Sequence, residues 1–120
     1  METPGWIREL MQVSDARDVD GYLKFLTPDA VLRFGNAPEF KGQEAIREAL
    51  SGFFQSIGGL KHSILHVWSE PGSYVLRGDV TYTRLDGLQL TIPYCTIFYM
   101  KGNLIERHLA YGDQSPLYKT

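Results

Sequence analysis

Apolar residues in the first half of the chain recur at the three- and four-residue spacing of amphipathic helices. The pattern predicts a first helix over Pro4–Val13 and a second, short helix over Val19–Leu26, for which Ser14 or Asp15 would be the N-cap. A third apolar stripe predicts a helix over Ile46–Ile57, ended by the glycine pair that follows. The N-terminal half is therefore expected to be mainly helical.

From Leu60 onward the pattern changes to that of β-structure, with many valine, isoleucine, threonine, tyrosine and phenylalanine residues between turn signals. Helices first and strands afterwards favour an α+β fold over an alternating α/β one. We expect residues 1–120 to form one domain, with three helices on a curved antiparallel sheet. The predicted strands are Ala30–Phe34, Lys61–Ser69, Ser73–Leu85, Leu88–Lys101 and Leu104–Asp113.

Charge and cysteine content narrow the range of partners. Twelve Lys and Arg residues against fourteen Asp and Glu residues give a formal net charge of −2, with neither sign gathered in a block, so nucleic acid is not an expected partner. Cys95 is the single cysteine, which leaves no internal disulfide and no multi-cysteine zinc site. Arg8 and Glu9 interrupt the N-terminus and no apolar run has the length of a membrane span, so we expect a soluble, cytoplasmic protein.

The dipeptide Asp86-Gly87 predicts a two-residue β-hairpin turn, which fixes the pairing of the strands on either side. In that register Asp79 faces Tyr94 and Arg77 faces Thr96. All four side chains then project from one sheet face, because side chains alternate with a period of two along a strand. The apolar residues left on the opposite face, which we expect to support dimerisation, are Leu76, Val80 and Tyr82.

Arg77 and Asp79 are the strongest candidates for chemistry in this predicted cluster. The guanidinium would hold Asp79 ionised as a general base, or an apolar wall would raise its pKa so that it donates a proton. The sequence leaves both roles open. A salt bridge on a solvated sheet face is the non-catalytic explanation of the same pair.

Other reactive side chains give weaker signals. His62 and His66 are four residues apart on one strand, a separation of about 13 Å that is too large for shared ligation of one metal, so no metal site is expected. Cys95 is expected to point away from Asp79 and to behave as a small hydrophobic residue. Glycine-rich phosphate loops and dinucleotide-binding motifs do not occur in the sequence, so no cofactor is implied.

Three segments carry a resemblance to a known family: Phe25–Val31 (FLTPDAV), Lys41–Arg47 (KGQEAIR) and Lys101–Glu106 (KGNLIE). With the order of elements, they resemble the nuclear transport factor 2-like superfamily, and within it the SnoaL-like branch of polyketide cyclases, ketosteroid isomerases and limonene epoxide hydrolases. The resemblance implies a cone-shaped, cystatin-like α+β barrel, in which helices wrap a strongly curved sheet around a pocket. It also implies a homodimer formed through the outer sheet face.

Site residues can be carried over from this resemblance only in part. The Arg-x-Asp pair of limonene epoxide hydrolases matches Arg77 and Asp79, and their water-holding asparagine matches Asn36. The cooperating tyrosine falls on Phe34, and the second catalytic carboxylate falls on an apolar position, so that Asp113 is the nearest carboxylate on the last strand. The general base of ketosteroid isomerases also falls on Phe34, which disfavours steroid isomerisation.

We therefore predict a cofactor-free enzyme that performs cyclisation, isomerisation or epoxide hydrolysis on a hydrophobic small molecule, with Asp79 and Arg77 as catalytic residues. The alternatives are a non-catalytic ligand-binding or dimeric accessory protein, and a structural dimer with a filled pocket. The residues predicted to bind the substrate are Asn36, Phe34, His62, Tyr94, Thr96, Phe98, His108 and Asp113.

Overall fold

The computed structural model describes residues 3–119, which form three α-helices and six strands. This confirms the predicted α+β class and the three predicted helices. Strand β1 begins earlier than predicted, and β2 and a short 3-10 helix at Ser115–Tyr118 were not expected. The helices are α1 (Gly5–Asp15), α2 (Val19–Leu23) and α3 (Gln43–Gln55). The strands are β1 (Leu26–Phe34), β2 (Phe40–Lys41), β3 (Gly59–Glu70), β4 (Ser73–Thr83), β5 (Gln89–Lys101) and β6 (Leu104–Tyr111).

The strands form one curved, open sheet in the order β2-β1-β6-β5-β4-β3. Neighbouring strands are antiparallel as expected, except that β1 and β6 run parallel, so the sheet is mixed. A parallel pair needs a long crossover. Here the crossover consists of α3 and the β3–β5 meander, which allows the last strand to lie beside the first.

The core lies between the helices and the concave inner face of the sheet. Helix α1 buries Ile7, Leu10 and Met11, and α3 buries Ile46, Leu50 and Phe54, at the spacings of three and four that predicted these helices. Burying a side chain of this size contributes about 1.5–3 kcal/mol. No helix within residues 3–119 has the length and apolar character needed to cross a membrane. The sheet residues that complete the core are Leu32, Val67, Leu76, Phe98 and Ile105.

The N-cap predicted for α2 is wrong. Helix α1 continues through Asp15, and Asp18 caps α2 instead, with its carboxylate accepting a hydrogen bond from Gly21 N at 2.9 Å. An Asp three residues before a backbone N–H meets the requirement for an N-cap. The Asp15 carboxylate is consequently available for contacts elsewhere in the fold.

The β4–β5 hairpin has a three-residue loop, Leu85–Gly87, in place of the predicted two-residue turn. Arg84 N donates to Leu88 O at 2.8 Å, and Gly87 N donates to Arg84 O at 3.0 Å. Gly87 has a φ of 89°, the left-handed conformation that follows a type I turn in loops of this length. The extra loop residue moves the strand pairing by one position, and a one-residue shift moves every side chain to the other face.

The predicted polar cluster is therefore split between the two faces of the sheet. Arg77 pairs with Cys95 and Asp79 with Pro93, whereas Tyr94 faces Gly78. Arg77 is exposed and Asp79 partly exposed on the convex outer face. Tyr94 and Thr96 project from the inner face, so the expectation that all four side chains share one hollow is wrong.

The same one-residue shift changes which residues lie on the outer face of the sheet, so the predicted outer face is wrong. Leu76, Val80 and Tyr82 are buried on the inner side. The outer face instead exposes large apolar residues, and dimerisation through this face stays a prediction. The large apolar strand residues with more than a third of their surface exposed are Leu65, Trp68, Tyr99, Leu104 and Tyr111.

A β-bulge at Leu65 reverses the alternation of side chains along β3. His62 pairs with Val80 before the bulge, and His66 pairs with Arg77 after it. His62 therefore faces inward while His66 lies outside, so the two histidines do not share a face as expected. Next to the bulge, a Cβ on Gly78 would lie 2.0 Å from the carbonyl oxygen of Ser63. Only glycine allows this approach of the two strands.

Candidate active site

A cavity of about 100 Å³ lies between the helices and the inner face of the sheet. Most of its wall is apolar, and its lining reaches the surface at Tyr111 and Gly112, which are exposed. A concave, mainly apolar site with a few polar groups is the usual form of a small-molecule site. The apolar wall includes Met11, Leu32, Phe34, Leu50, Phe53, Phe54, Val80 and Ile92. The polar side chains are Ser14, Tyr22, His62, Tyr82, Tyr94, Thr96, His108 and Gln114.

An aspartate–histidine pair, Asp15 and His62, lies at the cavity wall. Asp15 ends α1 and His62 faces inward from β3. The Asp15 Oδ1 atom accepts a hydrogen bond from His62 Nδ1 at 2.5 Å, and both carboxylate oxygens accept from the His62 backbone N–H at 3.1 Å. The side chain of His62 is 15% exposed and that of Asp15 is 25% exposed, so the pair is largely withdrawn from water.

This pair fixes the tautomer of the neutral His62 ring. A carboxylate oxygen is only an acceptor, so Nδ1 carries the proton and Nε2 keeps its lone pair. His62 Nε2 has no hydrogen-bond partner within the described part of the chain. His62 lines the cavity, so its ring lies beside the space that a bound molecule would occupy.

Tyr94 packs beside His62 and brings an unsatisfied hydroxyl to the site. The two rings meet edge to face, with their centroids 5.4 Å apart. The Tyr94 hydroxyl is buried and has no partner among residues 3–119. Burial raises the pKa of Tyr94, and the negative charges of Asp15 and Asp79 act in the same direction. The phenol is therefore protonated at neutral pH and remains available as a hydrogen-bond donor.

A second imidazole, His108, lines the cavity from β6. Its Nδ1 lies 2.7 Å from the hydroxyl of Tyr22, a buried residue of α2. The ring of Phe98 packs against it, with the centroids 4.7 Å apart. Burial lowers the pKa of His108 to about 3, with a smaller contribution from charge on His62. His108 is thus a neutral imidazole at physiological pH.

Two further polar groups lie in the wall next to the mouth. Gln114 Nε2 donates to the hydroxyl of Tyr82 at 3.1 Å. Burial raises the pKa of Tyr82, which opposes ionisation of this phenol as well. Among residues 3–119, no group of three side chains that commonly bind metals lies close together.

Comparison with known proteins agrees with this architecture. A family model described as a SnoaL-like domain matches residues 7–108. The chain belongs to the SnoaL-like family. This confirms the resemblance seen in the sequence. Among curated proteins, none matches the chain.

Solved structures similar to this SnoaL-like chain share its fold at low identity. TerC, co-crystallised with polyporic acid, has a TM-score of 0.82 and 19% identity, over 93% of this chain and 92% of its own. A protein from Catenulispora acidiphila with a ketosteroid isomerase-like fold, in complex with trimethylamine, has a TM-score of 0.87 and 12% identity, over 97% and 91%. An LEH-like epoxide hydrolase from M. tuberculosis has a TM-score of 0.77 and 13% identity, over 93% and 83%.

The SnoaL-like cavity contains some of the residues predicted to bind substrate and excludes others. Asn36 is exposed in the loop after β1, and Asp113 is exposed and accepts a hydrogen bond from Ser115 N at 3.0 Å. Phe98 is fully buried in the core, where its ring packs against the ring of His108. The predicted residues that do line the cavity are Phe34, His62, Tyr94, Thr96 and His108.

Both predicted catalytic residues, Arg77 and Asp79, lie outside the cavity on the outer face of the sheet. The sequence prediction missed two residues of the site: Asp15, which it offered as a helix cap, and Tyr22, which lies within the predicted second helix. Asp15 lies 47 residues from His62 in sequence, so no local spacing marks the pair. A correct hairpin register would have placed Tyr94 on the same sheet face as Val80 and Tyr82. That shared face was the available signal for the cavity lining.

Proposed function

We propose that this SnoaL-like chain is an enzyme that performs cofactor-free acid/base chemistry on a small, mainly hydrophobic substrate bound in the cavity. The candidate reactions are cyclisation, isomerisation and epoxide hydrolysis. The observation that carries the proposal is the Asp15–His62 pair, with its hydrogen bond of 2.5 Å, at the wall of an apolar cavity. The family membership and the similarity to an epoxide hydrolase support an enzymatic role.

His62 is the general base of this proposal. Its Nε2 lone pair removes a proton from the substrate or from a water molecule, and Asp15 stabilises the imidazolium that results. The two hydrogen bonds from the His62 backbone N–H hold the carboxylate in place, so that neither group has to move during the proton transfer. The proposal therefore assigns to His62 the role that the sequence alone gave to Asp79.

Tyr94 binds the substrate oxygen that gains negative charge. A buried hydroxyl without a partner costs about 1–3 kcal/mol, and a substrate oxygen would remove that cost. The hydroxyl oxygen has almost no accessible surface, so it reaches the substrate oxygen when the side chain turns toward the cavity that Tyr94 lines. The contact between the Tyr94 and His62 rings supports the assignment of donor and base to the same end of the substrate.

The cavity limits the size of the substrate. An engineered cavity of about 150 Å³ in another protein holds benzene. At about 100 Å³, this cavity accepts about one small ring with its lining unchanged. The apolar wall selects a compound that is mostly hydrocarbon, with one or two oxygen atoms for the polar groups.

The test is a screen of small cyclic epoxides and ketones for thermal stabilisation, followed by product analysis of each compound that binds. We expect turnover of at least one, and a loss of about 10²–10⁴-fold in His62→Asn. His66→Asn, a histidine on the outer side of the same strand, is the matched control and should retain full activity. Asp79→Asn is the comparison with Asp15→Asn, and only the latter should impair turnover.

Two results would contradict the proposal. Full turnover in His62→Asn would remove the general base from the mechanism. Ligands that bind in the cavity and are returned unchanged by every variant, the wild type included, would instead support the non-catalytic binding protein that the sequence left as an alternative.

A further inference from the structure

We propose that Tyr82 and Gln114 form a second polar subsite at the mouth of the cavity, which binds a hydroxyl group of the substrate. The substrate class that follows is a small ring compound that carries a hydroxyl group in addition to the oxygen assigned to Tyr94. This inference rests on the proposed function and narrows its substrate class, but it uses neither residue of the Asp15–His62 pair.

The hydroxyl of Tyr82 lies in apolar surroundings. The strand neighbours of Tyr82 are Leu60 of β3 and Leu90 of β5, and the ring of Phe53 packs on it edge to face, with the centroids 6.0 Å apart. Gln114 Nε2 donates to the Tyr82 oxygen at 3.1 Å. The hydroxyl hydrogen has no acceptor among residues 3–119. Burial raises the pKa of Tyr82, so this hydrogen stays in place at neutral pH.

The hydrogen bond between Gln114 and Tyr82 leaves one donor and one acceptor unused. With Nε2 as the donor, the Tyr82 hydroxyl hydrogen and the Gln114 Oε1 atom have no partner in the described part of the chain. Turning the amide over leaves a Tyr82 lone pair and the Nε2 hydrogens instead, which is again one acceptor and one donor. A substrate hydroxyl both accepts and donates, so it satisfies both groups. A carbonyl or ether oxygen accepts only and satisfies one.

The segment after β6 holds Gln114 at the mouth of the cavity. Gln114 directly precedes the short 3-10 helix Ser115–Tyr118, whose Leu117 is buried against inner-face residues of β4 and β5. Arg84 Nη1 donates to the Pro116 carbonyl oxygen at 3.4 Å, which fastens the same helix to the β4–β5 hairpin. Because the segment is already ordered, a ligand that binds Gln114 does not have to pay for ordering a loop.

The subsite is distinct from the oxygen site assigned to Tyr94. Tyr94 pairs with Gly78, which lies four residues from Tyr82 on β4. At about 3.3 Å per residue, the two tyrosines start from backbone positions about 13 Å apart along the strand. Both side chains line the same cavity. A ring with two oxygen atoms is therefore the kind of compound that contacts both tyrosines at once.

Two phenols of similar size test the subsite directly. Hydroquinone carries two hydroxyl groups, whereas 4-fluorophenol has fluorine, which donates no hydrogen bond and accepts one poorly, in place of the second. Their dissociation constants are measured by NMR titration of the labelled protein in deoxygenated buffer. The apolar wall alone favours the fluorinated compound, because an unpaired buried hydroxyl is costly. We expect the wild type to bind hydroquinone about tenfold more tightly, the effect of two net hydrogen bonds.

Gln114→Leu and Tyr82→Phe should each abolish or reverse this preference. Gln89→Leu is the matched control and should keep it, because Gln89 lies outside the cavity lining and its Nε2 donates to Thr83 Oγ1 at 3.3 Å. Thermal unfolding shows which variants are folded, and either folded cavity variant is sufficient for the test.

Three results would overturn this inference: equal affinity of the wild type for the two phenols, failure of hydroquinone to bind, or a preference that survives in both Gln114→Leu and Tyr82→Phe. Equal affinity or a surviving preference leaves the proposed function standing, because the proposed acid/base chemistry needs one substrate oxygen only. Conversely, a preference that both variants lose, together with ligands that the wild type returns unchanged, would confirm the subsite and contradict the enzymatic role.

Discussion

Replacing Tyr94 with phenylalanine should make the protein more stable while it impairs the site. The hydroxyl of Tyr94 is buried without a hydrogen-bond partner in residues 3–119, so the folded state bears its desolvation cost with nothing in return. Protein mutational data put that cost at about 1–3 kcal/mol. Tyr94→Phe removes the hydroxyl and keeps the ring that packs against His62. We expect the free energy of unfolding to rise by an amount in this range.

The expected change is large enough to measure. With an unfolding entropy of about 2.1 cal/mol/K per residue, a chain of 120 residues gains about 4 °C in Tm for each kcal/mol. Urea denaturation and differential scanning calorimetry would both detect it. The matched control is Tyr82→Phe, another tyrosine of the cavity wall, whose hydroxyl accepts a hydrogen bond from Gln114. This control should lose about 0.5–1.5 kcal/mol.

Opposite signs for the two substitutions are the test. If Tyr94→Phe destabilises the protein as much as Tyr82→Phe does, the Tyr94 hydroxyl has a partner in the folded state and is not held ready for a ligand. If Tyr94→Phe stabilises the protein but binds the same compounds with unchanged affinity, the hydroxyl is unsatisfied but does not contact the ligand.

Further expectations concern pH, backbone crowding and assembly. The pKa of His108 is about 6.5 in the unfolded chain and about 3 in the folded protein, where burial lowers it. The free energy of unfolding should therefore fall as pH drops through this window, by up to about 1.4 kcal/mol per pH unit. His108→Gln should flatten that part of a pH series of urea titrations. Gly78→Ala places a Cβ 2.0 Å from Ser63 O and should lower the free energy of unfolding, measured by urea denaturation, by at least about 1–3 kcal/mol. Gly52→Ala, in open space on α3, is the control and should raise the free energy of unfolding by about 0.5–1 kcal/mol. Light scattering should show a dimer that Trp68→Lys on the outer face converts to a monomer; a monomeric wild type would contradict this.

The sequence predicted which segments are helix and strand but not which strand faces line the cavity. Helical stripes such as Ile46–Ile57 are local signals repeated over several turns, so an error at one position does not change the predicted element. A strand face depends on the whole register, and that was set by one residue in the loop ending at Gly87. The bulge at Leu65 had the same effect on His66. Single-residue irregularities of this kind leave little trace in hydrophobic pattern.

The cavity residues that the sequence predicted correctly all lie on strands. Tyr94, Thr96 and His62 were identified as pocket residues, although the first two were placed there through a register that is wrong. Asp15 and Tyr22 come from the N-terminal helices, and their partners lie 47 and 86 residues further along the chain. Contacts over such separations follow from how α1 and α2 dock on the sheet, which residue spacing does not encode.

The position of Asp15 also affects how the protein avoids aggregation. Strand β3 forms one border of the sheet, and the His62 backbone N–H that Asp15 binds points away from β4. Unpaired N–H groups on a border strand are templates onto which another chain can add. The carboxylate at the end of α1 occupies one of them. Substitutions at Asp15 are therefore expected to lower the solubility of the folded protein, so that a loss of activity in such variants has to be normalised to the soluble fraction.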